Sequence, residues 1–324
     1  MLRRAFLSLA ALPLTTFAAK VQYPAVKPRR LVFPRDHGAH PEFRIEWWYI
    51  TGWLAGPLGF QITFFRARPE EESENPSSFN PRQILFAHAA LSDPKRGRLL
   101  HDQRAARAGF SLAHVELERT GVWIDDWRLE QHGNRYDARI PAREFDLEVS
   151  FFARELVLQG EHGFSRKGHR PHEASYYYSR PHLNVVGKVN GRDAEGSAWL
   201  DHEWSSAYMA PEAAGWDWCG INLHDGGSLM AFQMRGKNGG VHFASGGKLK
   251  ALRTWKSPRT GVGYPVEMAL DDLVLKPLMD DQELDSRAST GTIYWEGAVR
   301  AFRKEAEVGR GYLELTGYWK PMKL

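Results

Sequence analysis

The chain has 324 residues, of which 43% are hydrophobic and 25% are charged, a composition typical of a folded protein with a sizeable core. Its 43 basic and 39 acidic residues give a net charge of +4, and no dense run of Lys and Arg marks a nucleic-acid-binding face. The single cysteine, Cys219, excludes an internal disulfide, and the absence of a cysteine near the N-terminus excludes a lipid-anchored lipoprotein.

Residues 1–19 have the pattern of an export signal. Arg3 and Arg4 precede a short apolar stretch and a small-residue end, as in secretory signals. The stretch is too short to span a bilayer, which takes about 20 apolar residues. The letters RRAFL also resemble a twin-arginine signal, with an ordinary secretory signal and a buried N-terminal helix as the alternatives. We expect cleavage between residues 18 and 20 and a periplasmic or secreted mature protein.

Strand patterns dominate after residue 43. In GFQITFFRAR (59–68) the side chains alternate between two faces, as expected of a strand. Similar short runs, each bounded by Gly, Pro, Asn or Asp, follow at 83–91, 121–133, 145–152 and 155–160. No segment has a convincing long helical period. The sequence therefore predicts an all-β fold built as an antiparallel barrel or sandwich.

A connector interrupts the strands near the middle of the chain. Residues 205–215 (SSAYMAPEAAG) have the composition of such a connector. Beyond it, HDGG (224–227) predicts a hairpin turn, and 291–299 and 311–319 predict two further strands. We predict two antiparallel β-barrel domains in tandem, an N-terminal one at 20–205 and a C-terminal one at 206–324.

The segment HPEFRIEWWYITGWL places an acid beside three aromatic residues. Alternate residues of a strand share a face, so Glu46 and Trp48 point one way and Trp47 and Tyr49 the other. One of these two pairs must pack in the hydrophobic core. The other interpretation of the whole set is an aromatic packing layer with Glu46 as an exposed or paired acid.

The run AWLDHEWSS places an imidazole between two acids. His202 and Trp204 share one face of the predicted strand, and Trp199, Asp201 and Glu203 share the other. Such residues can form a catalytic or ligand site. A hydrogen-bonded core histidine beside an aromatic ring is the structural alternative.

Two further aromatic groups repeat this arrangement. Tyr176 and Tyr178 share a face in SYYYS, and Tyr177 opposes them. Trp216 and Trp218 share a face in GWDWCGINL. Because buried tyrosine hydroxyls need hydrogen-bond partners, three tyrosines in a row favour a partly polar cavity over a dry core.

Histidine pairs occur twice at a spacing that could chelate a metal. They are His37 with His40 in HGAH and His169 with His172 in HRPH. Neither pair has thiolates or a neighbouring acidic cluster, as a closed zinc site would need. We therefore predict no metal and no other cofactor. The sequence also has no G-x-S-x-G nucleophile elbow and no nucleotide-binding fingerprint.

Taken together and in this order, FPRDHGAHPEFRIEWWYITGWL, SYYYS, AWLDHEWSS, GWDWCGINLHDG and GYLELTGY resemble the AttH-like, carotenoid 1,2-hydratase-like family of secreted proteins. The resemblance implies two lipocalin-like β-barrels. It also implies an apolar, isoprenoid or lipid-like ligand, because some members add water to an isoprenoid double bond. In those hydratases a His-x-Trp pair is implicated, which falls here on His202 and Trp204.

Hydration of an alkene requires an acid that protonates carbon, aromatic faces that tolerate a carbocation, and a base for the incoming water. Our candidate for the acid is Glu46, with Asp201 second and His202 as the base. The predicted ligand-binding residues are Trp47, Trp48, Tyr49, Tyr176, Tyr178, Trp216 and Trp218.

Two functions of other classes use the same residues. A non-enzymatic carrier, or an accessory protein of an ABC-type exporter, would bind the ligand without changing it. A secreted hydrolase is the third candidate, disfavoured by the missing nucleophile elbow. In each case we expect a monomer with an apolar small-molecule partner and no nucleic acid.

Overall fold

The structure, a computed structural model, describes residues 19–72, 80 and 82–323, so the predicted export signal lies outside the described residues except for its last residue. The strands of the N-terminal half are β1 Ala19–Lys20, β2 Ile45–Leu54, β3 Leu58–Ala67, β4 Glu71–Glu72, β5 Ile84–Ser92, β6 Leu99–Arg107, β7 Ala113–Val115, β8 Gly121–Ile124, β9 Trp127–His132, β10 Arg135–Pro141, β11 Asp146–Phe152, β12 Val157–Leu158, β13 Phe164–Arg166, β14 Ala174–Val189 and β15 Arg192–Ala207. Those of the C-terminal half are β16 Ala213–Leu223, β17 Ser228–Gly236, β18 Val241–Ser245, β19 Leu249–Lys256, β20 Gly263–Leu270, β21 Leu273–Pro277, β22 Glu283–Asp285, β23 Ile293–Arg303 and β24 Ala306–Leu315.

Two large antiparallel sheets, each curled into a barrel-like half, contain almost all of these strands. The first has the order β6-β5-β3-β2-β15-β14-β11-β10-β9-β8-β7, with β12 and β13 paired to β14. The second has the order β18-β17-β16-β24-β23-β21-β20-β19, with β22 paired to β23. In the described residues the only helix is the 3-10 turn Arg35–His37. The predicted all-β, two-barrel fold is confirmed.

The chain changes sheets between β15, which ends at Ala207, and β16, which begins at Ala213. The short segment between them lies within the connector seen in the sequence. Across the part of the chain that the structure covers, no helix has the length and apolarity needed to cross a membrane.

The central strands of the first sheet are buried on both faces, and the packing explains why. One face of β2 and β15 lies in the core inside the first barrel, where Trp48 and Trp204 are buried. The other face packs against the second sheet, where Tyr49 and Trp199 meet Trp218 in a separate cluster. A strand covered on both sides loses the apolar–polar alternation of a surface strand. Each fully buried large side chain contributes about 1.5–3 kcal/mol to this packing.

Candidate functional site

Strand β15 carries the DHEW segment, and its two faces look into different parts of the molecule. His202 and Trp204 point into the first barrel and are fully buried there. Asp201 and Glu203 point towards the second sheet. Because β15 pairs with β2 on one side and β14 on the other, each face continues across three strands. The segment therefore belongs to two sites.

Inside the first barrel, Glu46 is the centre of a buried ionic network. Its Oε1 lies 2.8 Å from His40 Nδ1 and 2.9 Å from His202 Nε2, and Arg66 donates to Oε2 at 2.9 Å. Burial favours the neutral acid, but His40 and Arg66 outweigh it and hold the pKa of Glu46 well below its usual value. The second ring nitrogen of His40 lies 3.1 Å from Asp36. Burial opposes a charge on His40, yet these two carboxylates raise its pKa, so an imidazolium bridges them.

A chain of hydrogen bonds fixes the orientation of His202. Burial lowers the pKa of His202, and burial also lowers the pKa of His37 to about 3, so both rings are neutral. Arg180 donates to His37 Nε2, and His37 Nδ1 then donates to the Tyr178 hydroxyl at 2.9 Å. The Tyr178 hydroxyl donates to His202 Nδ1 at 3.2 Å, and His202 Nε2 donates to Glu46. Each group has one consistent role, so the arrangement is well ordered.

The ligand atoms of His40, Glu46 and His202 lie within 4.8 Å of one another and are the candidate metal-binding group of the described residues. Both imidazoles contact the same carboxylate oxygen at hydrogen-bond distance, and Arg66 binds the other oxygen. These short distances are those of hydrogen bonds between the imidazoles and the carboxylate, and they suit shared protons rather than a metal ion held between the three side chains. His169 of the second predicted pair is bonded to the His242 carbonyl at 2.7 Å.

A cavity of about 310 Å³ lies between the two sheets, on the face of the first barrel that carries Asp201 and Glu203. Its volume is at the small end of the range for ligand pockets in proteins. Its aromatic lining comprises Trp47, Tyr49, Phe65, Phe86, Tyr177, Tyr208, Trp216, Trp218 and Tyr294. Its acidic lining includes Asp201, Glu203, Glu296 and Glu314. A mostly apolar cavity with a few convergent polar groups is the usual form of a binding site.

Asp201 is held rigidly at the cavity wall. Its carboxylate accepts hydrogen bonds from the Tyr177 hydroxyl at 2.8 Å, from Ser179 at 2.5 Å and from Trp199 at 2.7 Å. The Trp218 ring NH donates in turn to the Tyr177 oxygen at 3.1 Å. Burial raises the pKa of Asp201 to about 7, against the effect of these three donors.

Glu203 is paired with a buried lysine. Lys167 Nζ lies 2.7 Å from Glu203 Oε1, both side chains are at most 5% exposed, and Ser175 donates to the same oxygen. Burial still raises the pKa of Glu203, although the lysine acts in the opposite direction. Glu203 is the member of this pair that lines the cavity.

Glu296 and Glu314 are the acids that the second sheet contributes. They are direct cross-strand partners on β23 and β24, so two carboxyl groups share one buried face. Glu296 is 2% exposed, and burial together with the nearby Glu314 raises its pKa well above the usual value. Glu314 is half-buried, and burial raises its pKa to about 7. Trp216 donates to Glu314 Oε2 at 2.8 Å, so a proton on Glu314 resides on Oε1.

The structure divides the residues singled out in the sequence between these two sites. Around the cavity lie Trp47, Tyr49, Asp201, Trp216 and Trp218. In the core of the first barrel lie Trp48, Tyr176, Tyr178, His202 and Trp204. Glu46 borders the cavity, but its carboxylate is engaged by His40, His202 and Arg66. Trp204 also stacks on His40 with ring centroids 3.7 Å apart.

Sequence reasoning did not single out Glu296, Glu314 or Tyr208 as cavity residues, and it included Tyr177 only as one of three consecutive tyrosines expected to line a cavity. The segments with Glu296 and Glu314 were predicted only as strands. A signal was nevertheless present, because each glutamate interrupts an otherwise apolar strand, and a buried acid of that kind needs a reason. The sequence of each strand alone does not show which acids come together in the folded protein.

The raised pKa of Glu314 predicts a difference in pH dependence between the wild type and Glu314→Gln. Between the ordinary value of 4.5 and about 7, the folded wild type keeps a proton that the unfolded chain has lost. The contribution of Glu314 to the free energy of unfolding is therefore fully present below pH 4.5 and is lost as the pH rises through about 7. Urea unfolding followed across this window should show the wild type losing stability relative to Glu314→Gln.

A matched control for this measurement is Glu305→Gln, because Glu305 is exposed at the turn between β23 and β24. The free energy of unfolding of Glu305→Gln should change with pH in the same way as that of the wild type. If the free energy of unfolding of Glu314→Gln also changed with pH as in the wild type, the pKa of Glu314 would not be raised.

Comparisons with known proteins agree with the fold. A family model described as AttH-like matches residues 24–318. A candidate AttH protein of Nitrosomonas europaea, known from a crystal structure, is 48% identical, with a TM-score of 0.83 over 92% of this chain and 100% of that one. Kievitone hydratase from Nectria haematococca is 12% identical, with a TM-score of 0.60 over 93% of this chain and 98% of that one, and shares the lipocalin-like fold. A search of curated proteins gave no match.

Proposed function

This chain belongs to the AttH-like family, and from the geometry of its inter-sheet cavity we propose that it binds an apolar small molecule and adds water to a carbon–carbon double bond in it. The observation that carries the proposal is the pair Glu296 and Glu314, two facing carboxyl groups of raised pKa in an aromatic cavity. An acid that stays protonated near neutral pH is what protonation of an alkene requires.

Glu314 is the proposed proton donor, because it is less buried than Glu296 and lines the cavity. Its proton passes to one alkene carbon as the π bond breaks, and the other carbon becomes cationic. Water then forms the new C–O bond, and its extra proton returns to the ionised Glu314. No proton or electron is gained or lost over the cycle.

The aromatic walls of the cavity are suited to stabilising the carbocation that forms after protonation. Trp47, Trp216 and Tyr208 present aromatic rings to it, and each ring face stabilises a desolvated cation by ~0.5–2 kcal/mol. Asp201 is ordered by three donors and lies in the same cavity, so it is the proposed group that orients the attacking water. The substrate class that follows is an apolar, isoprenoid-like or lipid-like alkene.

A non-enzymatic carrier is the second candidate, and one observation favours it. His202 and Trp204, the pair implicated in the hydratases that the sequence resembles, are packed in the barrel core rather than at the cavity. If that pair is required for hydration, the cavity only holds its ligand, for instance in support of an ABC-type exporter. Under either function we propose that the protein is exported through its N-terminal signal and acts as a monomer.

A ligand panel tests the proposal. The purified protein is mixed with isoprenoid alkenes, unsaturated fatty acids and their saturated analogues, and binding is followed by native mass spectrometry and by Trp fluorescence. Unsaturated ligands should bind and then gain one water, which oxygen-18 water identifies in the product. Saturated analogues should bind without reaction. Binding without water addition in every case would support the carrier, and a panel in which nothing binds would refute both functions.

A further inference from the structure

The acid pair of the cavity has no positive partner. Among the residues that the structure describes, neither Glu296 nor Glu314 forms an ion pair with a cationic side chain. Of the two cationic residues that line the cavity, Arg66 is paired with Glu46, and Lys323 is exposed and forms no ion pair with either acid. Glu296 Oε1 is also buried without a hydrogen-bond partner in the described residues. A buried carboxylate without a counter-charge is costly, so a cation that entered the cavity would stabilise the ionised form of these acids and be bound in return.

The Lys167–Glu203 pair beside the cavity already shows how this protein accommodates a cation. Lys167 Nζ lies 2.7 Å from Glu203, and it is 4.7, 5.2 and 4.5 Å from the ring centroids of Tyr177, Tyr208 and Phe232. The Lys167 side chain is 1% exposed, so the carboxylate and the three rings replace water around its ammonium group. A carboxylate together with aromatic rings is thus a cation site that this fold builds from its own chain.

Glu314 also lies among aromatic rings, and in the described residues no cation of the chain forms an ion pair with it. Trp216 donates to Glu314 at 2.8 Å, and Tyr208 meets Trp216 edge-on with ring centroids 5.5 Å apart. Trp47 meets Tyr208 edge-on in turn, at 5.0 Å. Trp47, Tyr208 and Trp216 all line the cavity, and the faces of aromatic rings attract positive charge.

We infer that the cavity is a receptor for an apolar organic cation, such as a quaternary ammonium with hydrophobic substituents, whose charged centre lies between Glu296, Glu314 and the surrounding rings. The inference rests on the proposed ligand cavity, but it does not require turnover. Under the proposed function such an ammonium resembles the carbocation that forms after protonation, and groups that stabilise the reaction's cation bind its stable mimic.

Two probes of equal shape test the preference for charge. They are benzyltrimethylammonium and its neutral isostere neopentylbenzene, titrated separately into the full-length protein with quenching of Trp fluorescence as the signal. Because the isostere has the same size and ring, the ratio of dissociation constants measures the charge alone. We expect the ammonium to bind about tenfold more tightly or better.

Single substitutions test which residue is responsible for the preference for the charged probe. Glu314→Gln should reduce the ratio to about threefold or less, and the exposed control Glu305→Gln should leave it unchanged. If Glu314→Gln does not fold, Glu296→Gln replaces it with the same expectation. Equal affinity for both probes, or a preference that survives both substitutions, would overturn the cation receptor alone. Failure of both probes to bind would instead remove the proposed ligand cavity, and with it the proposed function.

Discussion

Glu314→Gln should lower the rate of alkene hydration about 10²–10⁴-fold, the usual cost of removing a group that transfers a proton. The glutamine has nearly the same size and can still accept the hydrogen bond from Trp216, so the fold and the cavity should be retained. What is lost is the acidic proton, which a side-chain amide cannot supply. Formation of the hydrated product by mass spectrometry measures the rate.

Glu305→Gln is the control for this prediction, because it makes the same chemical change at an exposed position near the same hairpin. Its rate should equal that of the wild type. Asp201→Asn separates the roles of the two acids, since an acid that only orients water should affect the rate less than the proton donor does. Full activity of Glu314→Gln on a substrate that the wild type hydrates would exclude Glu314 as the donor.

Glu46→Ala should lower the free energy of unfolding by about 3–5 kcal/mol, because it removes one partner of a buried ionic network. Arg66 and the imidazolium of His40 would be left in the barrel core without the carboxylate that both contact. The methyl group also leaves a cavity where Glu46 was fully buried. Urea unfolding followed by Trp fluorescence measures the loss.

Glu42→Ala is the matched control, four residues away and exposed, and should change the free energy of unfolding by no more than about 0.5 kcal/mol. Glu46→Gln adds a second test, because it keeps the size of the side chain and removes the charge. A large loss of stability in Glu46→Gln supports the structural role. If Glu46→Gln kept its stability but lost turnover, Glu46 would instead be the catalytic acid.

The two predictions separate the core of the first barrel from the cavity between the two sheets. Substitutions on the barrel side, at Glu46 or His202, should act mainly on stability, since these side chains are fully buried in a closed network. Substitutions on the cavity side, at Glu314, should act mainly on ligand recognition and turnover. Substitutions in the barrel core and substitutions at the cavity should therefore have different consequences.

Much of this protein was determined by its sequence alone. The density of short alternating runs predicted an all-β fold, because a period of two residues is the direct signature of a strand. The same period predicted that His202 and Trp204 share a face and that Asp201 lies opposite, which is how β15 arranges them. The resemblance to the AttH-like family, carried by motifs along most of the chain, is confirmed by the match to residues 24–318.

Only the tertiary structure decided which face of β15 meets a cavity. Alternation fixes the relative direction of two side chains, but not whether a face looks into a barrel or towards a second sheet. Both faces of β2 and β15 are buried, so hydrophobicity could not tell them apart. The pairing of Glu296 with Glu314 depends on the register of β23 against β24, and their meeting with Asp201 depends on how the two sheets pack. These are long-range contacts, and the physical reason they escape sequence reasoning is that the energies of packing and register belong to pairs of segments rather than to either segment.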